Sequence, residues 1–333
     1  MKVVILEVSN SCNIKCQFCY NPWQELDGNK YSKVKILPKK DFFWIIDKLK
    51  NWGATNLGFS GGEPLLNSEI FDIAEYSKEH GFKNSLLTNG MLIGKYSEKI
   101  AEFFDIVQIS LHGIEKTHDQ LTGRIGALNQ ALMGRMALMD YEMPISAAIV
   151  VNKLNIGELW DIIGLAAGMN MSSLLINRFL PGGAGLKNVK SLNLSEYEVV
   201  EMLNTVEEAS EEFGIPPFIG TPIPPCLEGL RDYKFLLKNG CAAGKGLHCA
   251  IDPSGGLKVC NHSSTIIGNC LLSDPKTLYD TSDYIKGFKE LRYTPTMCKG
   301  CSKVEICKGG CREAAHLLYG NISAPDPIFM RET

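Results

Sequence analysis

Short apolar runs alternate with longer amphipathic runs from about residue 3 to residue 213. The apolar runs are predicted strands and the amphipathic runs are predicted helices. Six strand-helix units in succession favour a parallel sheet with right-handed crossovers, because parallel neighbours need a helix to return the chain. The predicted fold class is therefore α/β, with the sheet curled fully or partly into a barrel.

The predicted elements follow from hydrophobic period and capping residues. The predicted strands are 3–8, 56–59, 85–87, 106–111, 145–151 and 173–176. The predicted helices are 38–52, 68–80 with Ser68 as N-cap, 96–104, 128–139, 156–169 and 195–213, the last opened by the capping box Ser195-Glu196-Tyr197-Glu198. Residues 118–124 are predicted to lie in a polar loop.

Three cysteines follow the first predicted strand: Cys12, Cys16 and Cys19, the last between Phe18 and Tyr20. Loops at the carboxyl ends of parallel strands are where α/β enzymes build active sites. A closed structural zinc site takes four ligands, whereas three thiolates in one loop hold three corners of a [4Fe–4S] cluster and leave one iron open. The alternative is a zinc site completed elsewhere in the chain.

This Cys-x3-Cys-x2-Cys loop resembles that of the radical S-adenosylmethionine (SAM) superfamily. The resemblance implies that Cys12, Cys16 and Cys19 hold a [4Fe–4S] cluster whose open iron chelates SAM. It also implies reductive cleavage of SAM to a 5′-deoxyadenosyl radical, which abstracts a substrate hydrogen. The implied fold is a partial, TIM-like (β/α)6 barrel with a lateral opening.

Further cofactor contacts are expected at the predicted strand ends. Ser60-Gly61-Gly62-Glu63-Pro64 follows the second strand, and Glu63 can accept hydrogen bonds from an ammonium group. The stretch is similar to the superfamily's GGEP motif, which binds the amino group of SAM; an ordinary glycine-rich turn is the alternative. The residues that the resemblance assigns to SAM are Tyr20, Gly61, Gly62, Glu63, Pro64, Thr88, Asn89, Ser110, His112, Arg124 and Val151. Many relatives carry Asp where this chain has His112.

The catalytic acid or base is not evident from the sequence. Arg178 ends the sixth predicted strand and is a substrate-side candidate, and Asp252, His248 and His262 are candidates near the domain junction. In anaerobic sulfatase maturases, the residue directly after the cysteine that corresponds to Cys260 is an Asp that acts as a base. Asn261 stands there in this chain and accepts no proton at neutral pH, which disfavours formylglycine formation.

The alternation stops after residue 213. Prolines mark a linker over 214–240, and residues 241–333 form a predicted small, cysteine-rich α+β domain. Its cysteines resemble the SPASM extension of radical SAM enzymes, which carries auxiliary [4Fe–4S] clusters. The resemblance assigns Cys241, Cys249, Cys260 and Cys311 to the first cluster and Cys298, Cys301 and Cys307 to the second.

The final cysteine of the SPASM pattern is missing. Asp326 stands near its place, so the fourth ligand of the second cluster is Asp326, Cys270 or Cys226, or the iron is open. Loss of that cluster is the competing outcome. A non-thiolate ligand would change the cluster's reduction potential.

Composition excludes several classes of protein. The 333 residues carry a net charge of −3, which argues against a nucleic-acid partner. No apolar run reaches the length of a membrane span. Twelve cysteines in groups with metal-ligand spacing fit clusters better than disulfides, and a reducing cytoplasm is the expected location.

The predicted function is radical modification of a ribosomally made peptide, as a thioether or carbon–carbon crosslink or an altered side chain. Modification of a small molecule such as a tetrapyrrole side chain is the enzymatic alternative, and a zinc-stapled binding module is the alternative of another class. The resemblance implies ferredoxin or flavodoxin as electron donor. Because the cluster loop starts at Cys12, any leader-binding protein is expected to be separate.

Overall fold

The structure, a computed structural model, describes residues 3–22, 35–236 and 239–330. Its strands are β1 (Val3–Ser9), β2 (Asn56–Gly61), β3 (Lys83–Thr88), β4 (Ile106–Ser110), β5 (Ile145–Val151), β6 (Ser173–Arg178), β7 (Pro217–Ile219), β8 (His248–Ile251), β9 (Gly256–Lys258) and β10 (Gly268–Asn269). Its helices are α1 (Lys39–Asn51), α2 (Ile70–Glu79), α3 (Ile93–Phe103), α4 (Glu115–Thr122), α5 (Ala127–Met136), α6 (Leu159–Gly168), α7 (Val189–Leu192), α8 (Glu196–Phe213), α9 (Pro275–Thr281), α10 (Asp283–Lys289), α11 (Val304–Cys307) and α12 (Arg312–Tyr319).

All ten strands belong to one sheet, in the order β10-β9-β8-β1-β2-β3-β4-β5-β6-β7. Strands β1 to β6 are parallel neighbours in chain order, as the strand-helix alternation predicts. Within the described ranges, β7 and β10 form the two edges and are not paired with each other, so the sheet stays open. The predicted α/β partial barrel is confirmed.

The main core lies between this sheet and its helices. Val4, Leu6 and Val8 of β1 are fully buried and share this core with Phe42 and Ile45 of α1. Because successive strand residues point to opposite faces, Glu7 and Ser9 of the same strand face the interior of the curled sheet. Both are buried there.

The start of α2 differs from the prediction. Ser68 is not the N-cap: the helix begins at Ile70 and Glu69 occupies the cap position. The side-chain oxygen of Asn67 accepts a hydrogen bond from the Glu69 amide (2.9 Å), while its Nδ2 donates to the Val8 carbonyl (2.7 Å). Asn67 thereby fixes this turn to β1, which a local capping rule does not take into account.

The polar loop predicted after β4 is also wrong, because Glu115–Thr122 is a helix. Its apolar content is low, so periodicity does not reveal it, yet His118, Leu121 and Thr122 are buried on one side. Gly123 ends it with a φ of +66°, a left-handed conformation that favours glycine.

The cysteine-rich segment extends the same sheet. Strand β8 pairs in parallel with β1, with Val3 opposite His248, and β9 returns antiparallel to β8 as a hairpin. Part of the predicted linker is a strand as well, since Pro217–Ile219 pairs with β6. No helix in the described ranges is long and apolar enough to cross a membrane.

Candidate functional site

The loop of three cysteines lies on a small apolar cluster of its own. Phe18, between two of the cysteines, packs with Leu121, Phe179 and Leu192, and Cys16 borders this cluster. These residues come from α4, the end of β6 and α7. Burial of Phe18 therefore holds the middle of the loop against the carboxyl ends of the strands.

Backbone hydrogen bonds fix the loop to the end of α4. The Lys15 amide donates to the Thr122 carbonyl (2.9 Å), and the Gln17 amide donates to the Leu121 carbonyl (2.8 Å). A Cβ atom at Gly123 would lie 2.8 Å from the Lys15 oxygen, so a larger residue does not fit there. The helix that the sequence analysis missed is thus a support of the cysteine loop.

The glycine turn after β2 docks directly in front of Cys12. The Gly62 amide donates to the Ser9 carbonyl and the Glu63 amide to the Ser11 carbonyl, both at 2.7 Å. A Cβ at Gly62 would come within 2.2 Å of the Ser11 oxygen. Close backbone approach is therefore the reason for glycine here. Pro64 opens the short 3-10 helix that follows, Pro64–Leu66.

Glu63 is a buried carboxyl group behind the cysteine loop, with 1% of its surface exposed. It accepts hydrogen bonds from Thr88 Oγ1 (2.8 Å) and from the amides of Asn89 (2.9 Å) and Leu65 (3.2 Å). Burial raises the pKa of Glu63 to about 7, although these donors oppose the shift. A carboxylate offers about four lone-pair positions, so one remains for a cationic partner.

Two of the predicted cofactor residues contact Asn13 within the loop. Asn89 Nδ2 donates to Asn13 Oδ1 (2.7 Å), and Arg124 Nη1 donates to the Asn13 carbonyl (2.9 Å). Thr88 and Asn89 therefore lie with Glu63 beside the cysteines, and Arg124 lies at the exposed rim of the loop.

His112 lies beneath the loop. Its ring contacts that of Phe18 edge-on, with centroids 4.5 Å apart, and its Nδ1 accepts a hydrogen bond from the Val150 amide (3.2 Å). Burial lowers the pKa of His112 well below the usual value, so the ring is neutral. Val151 is fully buried in the main core, whereas Val150 borders the Phe18 cluster. Of these two valines Val150 therefore lies nearer the cysteine loop, and the assignment of Val151 to SAM stays a prediction. Ser110, which ends β4, is half-buried.

A buried polar network joins the cysteine loop to the residues after β9. Tyr20 Oη accepts a hydrogen bond from Asn261 Nδ2 (2.8 Å), and Asn261 Oδ1 accepts one from His248 Nε2 (3.1 Å). Lys258 Nζ lies 2.7 Å from Glu7 Oε2 in an ion pair that is almost fully buried. Burial raises the pKa of Glu7 and of Tyr20. Sequence analysis misses this network because its members are far apart in the chain.

His262 stands next to this network. Its ring centroid lies 5.3 Å from that of Tyr20, and its Nε2 donates to the Pro181 carbonyl (2.9 Å). Because a carbonyl only accepts, Nε2 carries the proton and Nδ1 keeps its lone pair. Burial lowers the pKa of His262 to about 4, so the ring is neutral at pH 7.

Two other catalytic candidates have structural contacts instead. Arg178 and Asp326, 2% and 0% exposed, form an ion pair of 2.6 Å, and Arg178 Nε donates to the Pro222 carbonyl. Asp252 Oδ1 accepts hydrogen bonds from the amides of Ser254 and Gly256, both at 2.8 Å, and so closes the β8–β9 turn. These contacts give Arg178 and Asp252 structural roles, and a substrate-side role for Arg178 and an acid-base role for Asp252 stay predictions.

The cysteines predicted for the first auxiliary cluster have different electrostatic neighbours. Burial and then the charges of Glu313, Cys311 and Cys241 raise the pKa of Cys260, so these groups lie close together. Cys249 is fully buried in β8, where it pairs with Val4 of β1. Burial raises the pKa of Cys249, and the charge of Cys270 raises it further.

Glu313 is a further residue that sequence analysis missed. It is buried beside these thiols, its Oε1 accepts a hydrogen bond from Tyr284 Oη (2.6 Å), and its Oε2 lies 3.9 Å from His316 Nδ1. Only its position two residues after Cys311 could have drawn attention to it.

The thiols fit clusters better than single ions. In the part of the chain that the structure describes, no three His, Cys, Asp or Glu side chains converge on a point that could hold one metal ion. A [4Fe–4S] cluster needs no such convergence, because each thiolate binds a different iron. The twelve cysteines all lie in the described ranges, and none of them forms a disulfide. The buried Nε of Arg312 lacks a partner beside Cys311, Cys298 and Cys307, as expected next to an anionic cluster.

Comparisons with known proteins agree with this geometry. Residues 6–166 match the model of the radical SAM superfamily. The PqqA peptide cyclase of Bradyrhizobium diazoefficiens is 26% identical over 97% of this chain and 84% of its own length. The Fe-coproporphyrin III synthase of Methanosarcina barkeri is 26% identical over 98% of this chain and 86% of its own length.

Among solved structures, Streptococcus suis SuiB bound to its precursor peptide SuiA has a similar fold. Its TM-score is 0.76 at 16% sequence identity, over 97% of this chain and 74% of SuiB. The cysteine loop, the buried Glu63 beside it and these relatives identify residues 6–166 as a radical SAM domain, in an enzyme that uses SAM and a [4Fe–4S] cluster.

Proposed function

We propose that this radical SAM enzyme modifies a ribosomally made peptide, by forming a thioether or carbon–carbon crosslink or by altering a side chain. The proposal is supported by the similarity to the PqqA peptide cyclases and by the fold shared with SuiB, which is bound to the precursor peptide SuiA. The observation that supports the radical chemistry is a buried carboxyl group, Glu63, fixed next to a loop of three cysteines that form no disulfide.

Different residues would hold the cluster and SAM. Cys12, Cys16 and Cys19 would hold the cluster, and the remaining acceptor position of Glu63 would bind the amino group of SAM. Thr88 and the Asn89 amide hold the Glu63 carboxylate in place. When bound, the cluster and SAM together supply a radical that removes a hydrogen atom from the substrate.

The surface proposed to face the substrate is polar and uncharged. Tyr20, Asn261 and His262 lie together where the cysteine loop meets the residues after β9. Neither the Tyr20 phenol, whose pKa burial raises, nor the Asn261 amide takes up a proton at neutral pH. The free Nδ1 of neutral His262 is therefore the proton acceptor in this group.

The test uses anaerobically reconstituted protein with SAM, a reductant and a candidate precursor peptide. We expect 5′-deoxyadenosine and a peptide whose mass has decreased by the hydrogens lost in a crosslink or has changed through a side-chain alteration. The variant with Cys12, Cys16 and Cys19 all changed to Ala should form neither product, yet keep its auxiliary iron. Product formation by this variant would refute the proposal.

A tetrapyrrole substrate is the second candidate, because the Fe-coproporphyrin III synthase is as similar to this chain as the B. diazoefficiens peptide cyclase. The probe is iron coproporphyrin III, titrated into the protein and followed by its absorption spectrum. Saturable binding together with an unmodified peptide would favour the tetrapyrrole. No spectral change and a modified peptide would favour the first candidate.

The reductant in vivo is proposed to be a ferredoxin or flavodoxin. A separate leader-binding protein is proposed to present the peptide. Domain boundaries at residues 213 and 240 also remain proposals. They would be tested by limited proteolysis of the reconstituted protein, which should cut near residues 213 and 240 before it cuts within either domain.

A further inference from the structure

We propose that Cys226 is the fourth thiolate of the second auxiliary cluster and completes a four-cysteine site with Cys298, Cys301 and Cys307. The inference rests on the proposed function in one respect, namely that an auxiliary [4Fe–4S] cluster is bound in this segment. Cys226 lies in the proline-rich segment before residue 240 and belongs to no cysteine motif. Four thiolates are the usual ligand set of such a cluster.

The other three cysteines are held by short turns. Cys298 ends a 3-10 helix, Thr296–Cys298, and its carbonyl accepts a hydrogen bond from the Cys301 amide (3.1 Å). Cys307 ends α11, and Lys308 follows in a left-handed conformation with a φ of +57°. The positions of these thiols are therefore set by local backbone structure.

The residues around Cys226 are fixed by burial and by hydrogen bonds. Its side chain is exposed, whereas Pro224 and Leu227 on either side of it are buried. The Pro222 carbonyl accepts a hydrogen bond from Arg178 (3.1 Å), and the Ile223 amide donates to Asn239 Oδ1 (2.8 Å).

The same segment reaches the helix that ends at Cys307. Gly240, next to Asn239, lies so close to α11 that a Cβ there would be 2.7 Å from the Ile306 carbonyl. Ile223, Asn239 and Gly240 thereby connect the surroundings of Cys226 to the segment that carries the other cysteines.

The thiols are close enough for their charges to act on one another. Cys226 lies within electrostatic range of Cys298 and Cys301, and Cys307 lies within range of Cys226 and Cys298. Each of the four sulfurs therefore has at least one of the others as an electrostatic neighbour.

The competing ligands are engaged elsewhere. Asp326 Oδ2 accepts hydrogen bonds from Arg178 Nη2 and the Cys311 amide, both at 2.6 Å, and Oδ1 accepts one from the Ile328 amide (2.9 Å). Ligation of iron through the remaining lone pair would place a second cation on a carboxylate that already neutralises the buried Arg178. Cys270 is fully buried, and the charges that raise its pKa after burial are those of Asp252 and Asp274 rather than of Cys298 or Cys307.

The first experiment maps thiol protection. The full chain is treated with iodoacetamide before and after anaerobic reconstitution with iron and sulfide, and labelled peptides are read by mass spectrometry. Because Cys226 is exposed, it should be labelled in the metal-free protein and labelled at least about tenfold less after reconstitution. Equal labelling in both states would overturn the proposal.

The second experiment compares matched variants by iron and zinc content and by Mössbauer and EPR spectra. Both Cys226→Ser and Cys270→Ser are made in the chain with Cys12, Cys16 and Cys19 changed to Ala, so that only auxiliary iron is counted. Cys226→Ser should lose about four irons per chain or change the spectrum of one cluster. Cys270→Ser should match its parent.

Three results would overturn the assignment: a Cys226→Ser variant identical to its parent, a parent without auxiliary iron, or zinc in place of that iron. None of these measurements uses the peptide. If Cys226 is protected but no peptide is modified, only the proposed substrate class is refuted. If a peptide is modified but Cys226 stays unprotected, only the proposal of Cys226 as a cluster ligand is refuted.

Discussion

Glu63→Gln tests the buried carboxyl group beside the cysteine loop. Burial raises the Glu63 pKa from 4.5 to about 7, and each pKa unit corresponds to about 1.4 kcal/mol, so the ionised form costs the metal-free protein about 3 kcal/mol. A carboxyl group whose pKa is raised in the folded state stabilises the folded protein at pH values below its unfolded-state pKa. This stabilisation is lost as the pH rises through the folded-state pKa. The relevant window is therefore from about pH 4.5 to about pH 7.

The assay is urea unfolding of metal-free protein at pH 5 and pH 8. Between these values, the difference in unfolding free energy between variant and wild type should shift by about 3 kcal/mol in favour of Glu63→Gln. Glu98→Gln, at an exposed helical position, is the control and should show no such shift. The same difference at both pH values would refute a raised Glu63 pKa.

The same variant tests the binding of SAM. A hydrogen bond between a carboxylate and an ammonium group contributes about 1.5–3 kcal/mol, so Glu63→Gln should weaken SAM binding to reconstituted protein by about 10- to 100-fold. In the wild type, SAM affinity should rise as pH increases through about 7, because Glu63 must lose its proton. Unchanged affinity in the variant would mean that Glu63 does not contact the amino group.

Three further changes test the supports of the site. Lys258→Met leaves Glu7 buried without its cation and should lower the unfolding free energy by about 3–5 kcal/mol, and adding Glu7→Gln should restore most of it in urea unfolding. Asp326→Asn should cost a similar amount through Arg178 but leave the EPR spectrum of the second auxiliary cluster unchanged; an altered spectrum would restore Asp326 as a ligand. Gly123→Ala should strain the contact with the cysteine loop and lower iron retention at Cys12, Cys16 and Cys19, measured against Gly157→Ala, which meets no neighbouring atom.

Local patterns predicted the barrel strands well because each is a short apolar run with a buried side. They failed where an element depends on distant partners. The helix Glu115–Thr122 is polar, and it is held by tertiary contacts such as the hydrogen bond from the Ile114 amide to Glu158 (3.0 Å). The sequence predicts a linker where the strand Pro217–Ile219 lies, because two prolines precede Phe218. An edge strand, however, tolerates proline.

The candidate site shows the same division. Spacing was sufficient to group Cys12, Cys16 and Cys19 and to mark Glu63, because these residues are close in sequence or follow a recognisable turn. The partners of Arg178 and Tyr20 could not be predicted, since Asp326 and Asn261 are brought to them only by the fold. A charged residue at a strand end has the same local appearance whether it faces a substrate or a buried counter-ion.

The pairing of β8 with β1 has a consequence for how the chain reaches its native state. The first strand of the barrel acquires its second neighbour only after residues 248–251 have been synthesised. Until then one edge of β1 has unpaired amides and carbonyls, which can recruit other chains. Contacts this distant in sequence also slow folding. During synthesis the emerging barrel should therefore depend on chaperones, and a chain shortened to residues 1–213 should aggregate.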